Sequence, residues 1–98
     1  MLIGKVVGSV VATRKDEKLS NQKLLLVQVH DHLNQAKEQY VVAVDAVGAG
    51  LDEMVLYATG SSARQTTLTE NKPRDAVIMA VVDSWDLGGD NVYEKWES

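Results

Sequence analysis

Three short segments of this chain are apolar at almost every position, and they constrain its fold more than any other feature. They read KLLLVQV at 23–29, YVVAV at 40–44 and AVIMAVV at 76–82. Each has the length of a β-strand, but a half-exposed antiparallel strand alternates apolar and polar side chains. Both faces of these strands therefore need cover, and exposed apolar surface usually marks an interface. The pattern predicts self-association; the alternative is that loops and the C-terminal tail cover the outside.

The same β character runs through the whole chain and predicts five strands. Hydrophobic residues make up 45% of the 98-residue sequence without one Phe, which is typical of small barrels and sandwiches. The first strand contains Gly4 and Gly8, which suit a bent strand at a barrel corner. No segment has a long helical period, although Ser61 or Ser62 is placed to cap a single helical turn in GSSARQT. The predicted strands span 2–13, 23–30, 38–45, 53–59 and 76–83, as in a small closed or partly open barrel.

Charge and composition exclude several functions. The formal net charge is −4 and the ten basic residues are scattered, whereas binding to the DNA or RNA backbone needs clustered Lys and Arg. Without cysteine the chain has no disulfide, no thiolate nucleophile and no Cys-containing zinc site. No apolar run is long enough to span a bilayer, and the N-terminus lacks the basic region of a signal peptide. We therefore expect a soluble, cytoplasmic protein.

The glycines of VGAG at 47–50 and of GSSAR at 60–64 raise the question of a phosphate-binding loop. A dinucleotide fingerprint has a third glycine and opens a helix, but here a predicted strand follows VGAG. Ser61 or Ser62, together with Arg64, could bind an anion at a short helix N-terminus. The interpretation that we favour is a pair of tight turns where backbones come close together.

Residues at predicted strand ends and in the tail are weaker candidates for a site. His30 and His32 flank Asp31 and would point to one side of a strand, but no spacing supplies a third metal ligand, so we predict no metal site. Tyr93 and Trp96 are three residues apart and either share a helical face or dock the tail onto the barrel. Carboxylates at three other predicted strand ends are expected to cap turns or pair with cations: Asp45, Asp75 and Asp83.

Five blocks of the sequence carry a family resemblance. They are GKVVGSVVAT (4–13), KLLLVQ (23–28), VAVDAVGAGLDEMVL (42–56), GSSAR (60–64) and PRDAVIMAVVD (73–83). In order and spacing they resemble the EutN/CcmL family, the vertex proteins of bacterial microcompartment shells. The resemblance implies an all-β fold, a small five-stranded OB-like β-barrel with short helical turns and a C-terminal tail. It also implies a ring of five copies that plugs the corners of a hexameric shell, with no catalysis and no cofactor.

The resemblance extends to individual regions of the chain. Residues 1–83 would form one β-barrel domain, and residues 84–98 a tail that packs on its own or a neighbouring subunit. We expect Gly60, Ser61 and Ser62 to line a narrow axial opening of the ring. Arg64 and Asp45 would help to fix the orientation of the neighbour, while Arg74 stands where the family more often has an apolar residue. The residues expected at the subunit interface or in turns are Asp45, Gly48, Gly50, Arg64, Arg74 and Asp83.

The partners that the resemblance implies are further copies of the chain, as a homopentamer, and hexameric shell proteins. Neither nucleic acid nor a membrane is expected, and the implied location is the shell of a cytoplasmic microcompartment. Two functions of other classes stay open. An OB-like barrel can bind single-stranded nucleic acid or oligosaccharide, although this use needs basic grooves and stacking aromatics. A small-molecule enzyme or anion sensor could use the Gly-Ser loop and the two histidines, although no complete catalytic constellation is present.

Overall fold

The computed structural model describes residues 1–12, 22–60 and 76–96, and in these ranges the chain contains seven β-strands. They are β1 Leu2–Val10, β2 Leu24–His30, β3 Ala36–Asp45, β4 Met54–Thr59, β5 Ala76–Val81, β6 Ser84–Leu87 and β7 Asp90–Glu94. The first five match the predicted strands to within a few residues, because each contains the apolar run from which it was predicted. Strand β1 ends at Val10 rather than at 13, β3 begins at Ala36 rather than at 38, and β5 ends at Val81 rather than at 83.

Some predicted features fall at positions that the structure does not describe. The helical turn expected in GSSARQT is one of them, as are the candidate residues Ser61, Ser62, Arg64, Arg74 and Asp75. Within the described ranges, no helix has the length and hydropathy needed to cross a membrane.

The first five strands close into a barrel in the order β1-β2-β3-β5-β4, which confirms the predicted small, five-stranded, all-β barrel. Neighbouring strands are antiparallel except β3 and β5, which run parallel. In the described part of the chain this parallel seam has two residue pairs, Val44 with Val77 and Asp45 with Ile78. Strands β1 and β2, in contrast, share seven pairs.

Gly4 and Gly8 have different roles in β1. A Cβ atom on Gly4 would lie 2.8 Å from the carbonyl oxygen of Gln28 and 3.0 Å from Cε1 of Tyr57. Glycine is therefore required where the Tyr57 ring and the backbone of β2 pass close to β1. Gly8 follows a register shift between Val6 and Gly8 in the pairing with β2, as expected of a bent barrel strand.

The barrel interior is one core to which all five strands contribute. Tyr57, which has no exposed surface, is the largest fully buried side chain. Its hydroxyl has no hydrogen-bond partner among the described atoms, and burial raises the pKa of Tyr57. The other core side chains are small or medium aliphatic groups, as the composition predicted. The core consists of Val6, Leu25, Val27, Ala43, Ala49, Val55, Tyr57, Ala76 and Ile78.

The outer faces of the strands are covered unevenly. Val44, Ala58 and Val77 form a second, smaller cluster that is buried within the chain itself. Here the outer face needs no partner subunit, contrary to the expectation drawn from the apolar runs. On β3, however, the side chains of Tyr40 and Val42 are 55% and 47% exposed. The exposed apolar side chains of β3 therefore occupy only part of the outer wall.

The segment expected to be a tail contains a hairpin of β6 and β7, with Gly88 and Gly89 at its turn. Both glycines have positive φ angles (62° and 92°), which two-residue hairpin turns favour. Tyr93 lies in β7 and stacks on Trp85, with ring centroids 5.1 Å apart. Trp96 is 76% exposed. The idea that Tyr93 and Trp96 share a helical face was wrong, because the Gly-Gly pair makes a hairpin and Trp85 is the aromatic partner.

The hairpin is tied to the barrel at two places. Trp85 Nε1 donates to the carbonyl oxygen of His32 (3.0 Å), in the turn after β2. Lys95 Nζ donates to Glu53 Oε2 (2.9 Å), just before β4. The two contacts join the hairpin to the turn that follows β2 and to the residue that precedes β4.

Candidate functional site

The loop between β3 and β4 folds around one carboxylate. Asp45, the last residue of β3, has a side chain that is only 2% exposed. Its Oδ1 accepts hydrogen bonds from the backbone N–H groups of Val47 (3.1 Å), Gly48 (3.0 Å) and Ala49 (3.1 Å). Its Oδ2 lies 3.9 Å from Lys23 Nζ, which also donates to the Ala49 carbonyl oxygen (3.3 Å). Asp45 thus holds the loop from inside, and Lys23 offsets part of its buried charge.

A second carboxylate closes the other half of the loop. Glu53 Oε1 accepts from the N–H of Gly50 (2.6 Å), and Glu53 Oε2 accepts from Lys95 Nζ (2.9 Å). The hydrogen bond from Lys95, followed by that from Gly50, lowers the pKa of Glu53 below its ordinary value of 4.5. The same contact with Glu53 raises the pKa of Lys95. Since the N–H of Val6 donates to the Glu53 carbonyl oxygen (3.0 Å), Glu53 joins the loop, the barrel and the hairpin.

The geometry of this loop decides whether its glycines bind phosphate. A phosphate site needs several backbone N–H groups directed towards open space. The four amides of residues 47–50 are instead directed at Asp45 and Glu53. An incoming anion would meet two carboxylates, so the glycines serve a tight turn, which is the interpretation that the sequence favours.

The HDH sequence at 30–32 belongs to a self-contained turn. Asp31 Oδ1 accepts from the N–H groups of Leu33 and Gln35, both at 2.9 Å, and His30 Nδ1 is hydrogen-bonded to Asn34 Oδ1 at 2.8 Å. The backbone hydrogen bond from Gln35 is the main cause of the lowered pKa of Asp31. Residues 1–12, 22–60 and 76–96 contain no cluster of three or more His, Asp or Glu side chains that could hold a metal ion.

The outer side of β3 carries two exposed apolar side chains, Tyr40 and Val42, and we call this surface the β3 wall. Gly60, which the family resemblance places towards a ring axis, lies next to it. Exposed apolar surface beside a groove on the side of a barrel is typical of a protein interface. The groove has a volume of about 380 Å³ and is lined by Val41, Val42, Thr59, Gly60 and Ala76.

The structure brings three of the predicted site residues together. Asp45, Gly48 and Gly50 lie in one loop, in which Asp45 binds the loop's own amides. Asp83 lies exposed between β5 and β6, and its carbonyl oxygen accepts from the N–H of Lys95 (2.8 Å). Gly60 follows the last residue of β4 and is exposed. The other predicted site residues lie outside the described ranges: Ser61, Ser62, Arg64 and Arg74.

Sequence reasoning missed three residues that organise this part of the molecule, Glu53, Lys95 and Trp85. Glu53 and Lys95 are 42 residues apart, and no local pattern pairs them, so the contact follows only from the barrel topology. A signal existed for Trp85. SWDLGGDNVY has a Gly-Gly pair between two short segments with aromatic residues, which is a hairpin pattern that places Trp85 opposite Tyr93.

Comparison with known proteins assigns the chain to a family. The family model described as "Ethanolamine utilisation protein EutN/carboxysome" matches residues 1–83. The chain belongs to the EutN/CcmL family. The match ends at Asp83, so it covers the whole five-stranded barrel and stops before the hairpin.

Individual EutN/CcmL proteins are similar over nearly the full length of the chain. The carboxysome shell vertex protein CcmL of Gloeobacter violaceus is 43% identical over 95 residues, which cover 97% of this chain and 95% of that protein. Its solved structure superposes with a TM-score of 0.92 and covers 97% of this chain and 98% of the other. The microcompartment shell vertex protein EutN of Salmonella typhimurium is 38% identical over 95 residues, covering 97% and 96% of the two chains.

A third relative has a name that states its assembly. The structure described as the GrpN pentameric microcompartment shell protein from Rhodospirillum rubrum superposes with a TM-score of 0.81 at 40% identity. It covers 89% of this chain and 99% of the other. These similarities include the barrel strands that carry the β3 wall and the loop held by Asp45 and Glu53.

Proposed function

We propose that this chain is a structural protein of a bacterial microcompartment shell, and that five copies form a ring which closes a corner of the shell. The observation that carries the proposal is similarity over nearly the whole chain to proteins named as shell vertex proteins. A pentameric shell protein with the same fold adds support for the ring. The expected location is therefore the microcompartment shell, within the cytoplasm.

The function follows from geometry rather than from chemistry. A flat sheet of hexagonal tiles cannot close into a polyhedron without points of fivefold symmetry. A ring of five small barrels supplies such a point, and it closes only if each copy presents two different, complementary patches to its neighbours. Each Å² of apolar surface buried in such a contact stabilises it by about 25 cal/mol. Summed over the whole contact, this stabilisation exceeds that from scattered surface charges.

Two properties of the ring are further proposals drawn from the family resemblance. Gly60, Ser61 and Ser62 would line the axial opening, and Arg64 would help to fix the orientation of the neighbour. Asp45, also expected there, has a side chain only 2% exposed and would act only through the loop that it holds. Ser61→Trp should then obstruct the opening without preventing ring formation; a structure with Ser61 at the outer rim would refute the placement. Arg64→Ala should weaken the ring, and unchanged ring mass and thermal stability would remove Arg64 from the proposal.

The nucleic-acid alternative has little support from the surface of the barrel. Of the five aromatic residues, Tyr40 is the exposed one on a barrel strand. Single-strand binding uses several stacking aromatics beside a basic groove. The residues flanking Tyr40 along β3 include both Lys37 and Glu38, so the charge there is mixed. Hexameric shell proteins remain the proposed partners around the ring, and no catalytic role is proposed.

Native mass spectrometry of the purified chain at micromolar concentration tests the proposal. The expected species has five times the 10.7 kDa mass of one chain. A second test is co-expression with a hexameric shell protein, in which closed particles should form with the chain and open sheets or tubes without it. A monodisperse monomer in the first experiment, or closure independent of the chain in the second, would contradict the proposal.

A further inference from the structure

The C-terminal hairpin is a sheet of its own, and it docks on the barrel through one face. Among the described residues, β6 and β7 pair with each other and not with the barrel strands. Trp85 lies opposite Tyr93, and Lys95 follows two positions later, where its N–H still donates to the carbonyl oxygen of Asp83 (2.8 Å). Because strand side chains alternate, Trp85, Tyr93 and Lys95 share a face. A two-stranded hairpin alone is marginally stable in water, so the contacts of this face with the barrel also support the hairpin.

Glu53 receives the hairpin on one carboxylate oxygen and the loop between β3 and β4 on the other. Its Oε2 accepts from Lys95 Nζ (2.9 Å), and its Oε1 accepts from the N–H of Gly50 (2.6 Å). The backbone of Glu53 is held, because its carbonyl oxygen accepts from Val6 N–H (3.0 Å) and its N–H donates to the Gly50 carbonyl oxygen (3.2 Å). Loss of Lys95 therefore acts on the Glu53 side chain, and that side chain is the acceptor of the Gly50 amide.

Gly50 stands where the loop passes from the core to the surface. Ala49, before it, is buried in the barrel core, and Leu51, after it, is exposed. These three residues form one side of a groove of about 530 Å³, whose other side belongs to β1 and β2. The hydrogen bond from Gly50 to Glu53 therefore fixes the part of the loop that shapes this side of the groove.

We propose that the C-terminal hairpin is a clasp on this loop. When docked, the hairpin holds the Glu53 carboxylate against Gly50, and when undocked, it leaves residues 50 and 51 and their side of the groove free to move. The effect is reciprocal, since an ordered loop favours the docked hairpin by the same free energy. The clasp operates within one chain, so the inference goes beyond the proposed ring and does not depend on it.

Hydrogen exchange at the Gly50 amide, resolved by mass spectrometry, tests the contact itself. Lys95→Met removes the ammonium group but keeps an unbranched side chain, and it should accelerate exchange at Gly50 about threefold or more. Lys95→Arg retains a cation and should exchange like the wild type. The matched control is Lys37→Met, which removes the same charge from an exposed position on β3 and should leave Gly50 unchanged. All variants are compared in one assembly state, checked by native mass spectrometry.

Trp85→Phe tests whether the hairpin transmits the effect. The variant keeps an aromatic ring to stack on Tyr93 and loses only the Nε1 donor to the carbonyl oxygen of His32. Glu53, rather than Trp85, is the acceptor of the Gly50 amide, so faster exchange there would have to pass through docking of the hairpin. We expect acceleration by about twofold or more. The double variant with Lys95→Met should exceed Lys95→Met alone by little, because the two substitutions release the same element.

Three results would overturn the inference. If Trp85→Phe leaves exchange at Gly50 at the wild-type rate, the contact between Lys95 and Glu53 is local and the hairpin is not a clasp. If Lys37→Met accelerates Gly50 as much as Lys95→Met does, the cause is the change of net charge. The amide of Val27, in the barrel core, should keep its wild-type exchange in every variant. Equal acceleration of Val27 and Gly50 would indicate general loosening of the barrel instead.

Discussion

Lys95 Nζ lies 2.9 Å from Glu53 Oε2, and this contact joins the C-terminal hairpin to the residue that precedes β4. Glu53 is also the acceptor for Gly50 of the glycine-containing loop (2.6 Å). The two side chains retain about a quarter to a third of their exposure, 26% for Glu53 and 32% for Lys95. Solvent therefore screens the ion pair, and its importance lies in what it holds in place.

Replacing Glu53 should separate its two roles. Glu53→Gln retains an oxygen acceptor for Gly50 and loses only the charge, so we expect a small loss of stability. Glu53→Ala leaves the Gly50 N–H without an acceptor, which should lower the free energy of unfolding by about 1–2 kcal/mol. Urea denaturation at one fixed protein concentration measures both, since association stabilises the folded state. If both variants lowered the free energy of unfolding equally, the hydrogen bond from Gly50 would not contribute to stability.

The lowered pKa of Glu53 predicts a pH dependence with a defined sign. Because the folded pKa lies below the ordinary value of 4.5, the stabilisation is complete above that value and is lost as the pH falls through the folded pKa. The wild type should therefore exceed Glu53→Gln in stability at pH 6, and the difference should vanish between about pH 5 and pH 3. Asp90→Asn, which removes a negative charge at the start of β7, is the control. A difference that stays constant down to pH 3 would contradict the prediction.

Asp45 should be more important to the loop than Glu53. Asp45→Ala removes the acceptor of three backbone amides and leaves Lys23 without its partner, so unfolding should become easier by about 2–3 kcal/mol. Asp45→Asn keeps one oxygen at that position, so it should lower the free energy of unfolding by only about 1 kcal/mol. Hydrogen exchange at residues 47–49 should accelerate in the alanine variant. Unchanged exchange there would mean that the loop does not depend on this carboxylate.

Alanine at the two glycines of β1 provides a matched pair. A Cβ on Gly4 would lie 2.8 Å from a backbone carbonyl oxygen, which cannot move without shifting β2, so Gly4→Ala should cost about 2–4 kcal/mol. A Cβ on Gly8 would meet its nearest atom, Cβ of Leu26, at 3.9 Å, an ordinary contact. Gly8→Ala should change stability by less than about 1 kcal/mol, in either direction. Thermal denaturation compares the pair, and similar melting temperatures would contradict the packing argument.

The barrel was predictable from the sequence because its signal is local. Each of the five strands contains a run of apolar residues, many of them β-branched, bounded by polar or glycine-containing turns, and such runs favour strands. The order of the strands around the barrel was not available from composition or periodicity, and the resemblance to the EutN/CcmL family supplied the barrel type. The family comparison then confirmed that resemblance.

The details of the site depended on long-range geometry. The sequence predicted that Asp45 ends a strand, but not that its carboxylate would be almost fully buried against three amides. Glu53 and Lys95 meet only because β5 returns the chain to the end of the barrel where β4 begins. Val42 is exposed, whereas its apolar neighbour Ala43 is buried. The apolar runs could not predict this difference, because they do not show which outer faces are covered by other parts of the chain.

Trp85 and Lys95 fasten the C-terminal hairpin to the barrel through side-chain hydrogen bonds, not through the pairing of the barrel strands. The hairpin can therefore separate from the barrel while the five barrel strands stay paired, and local opening of this kind needs less free energy than global unfolding. Limited proteolysis should accordingly remove the hairpin first and leave the barrel as the resistant fragment.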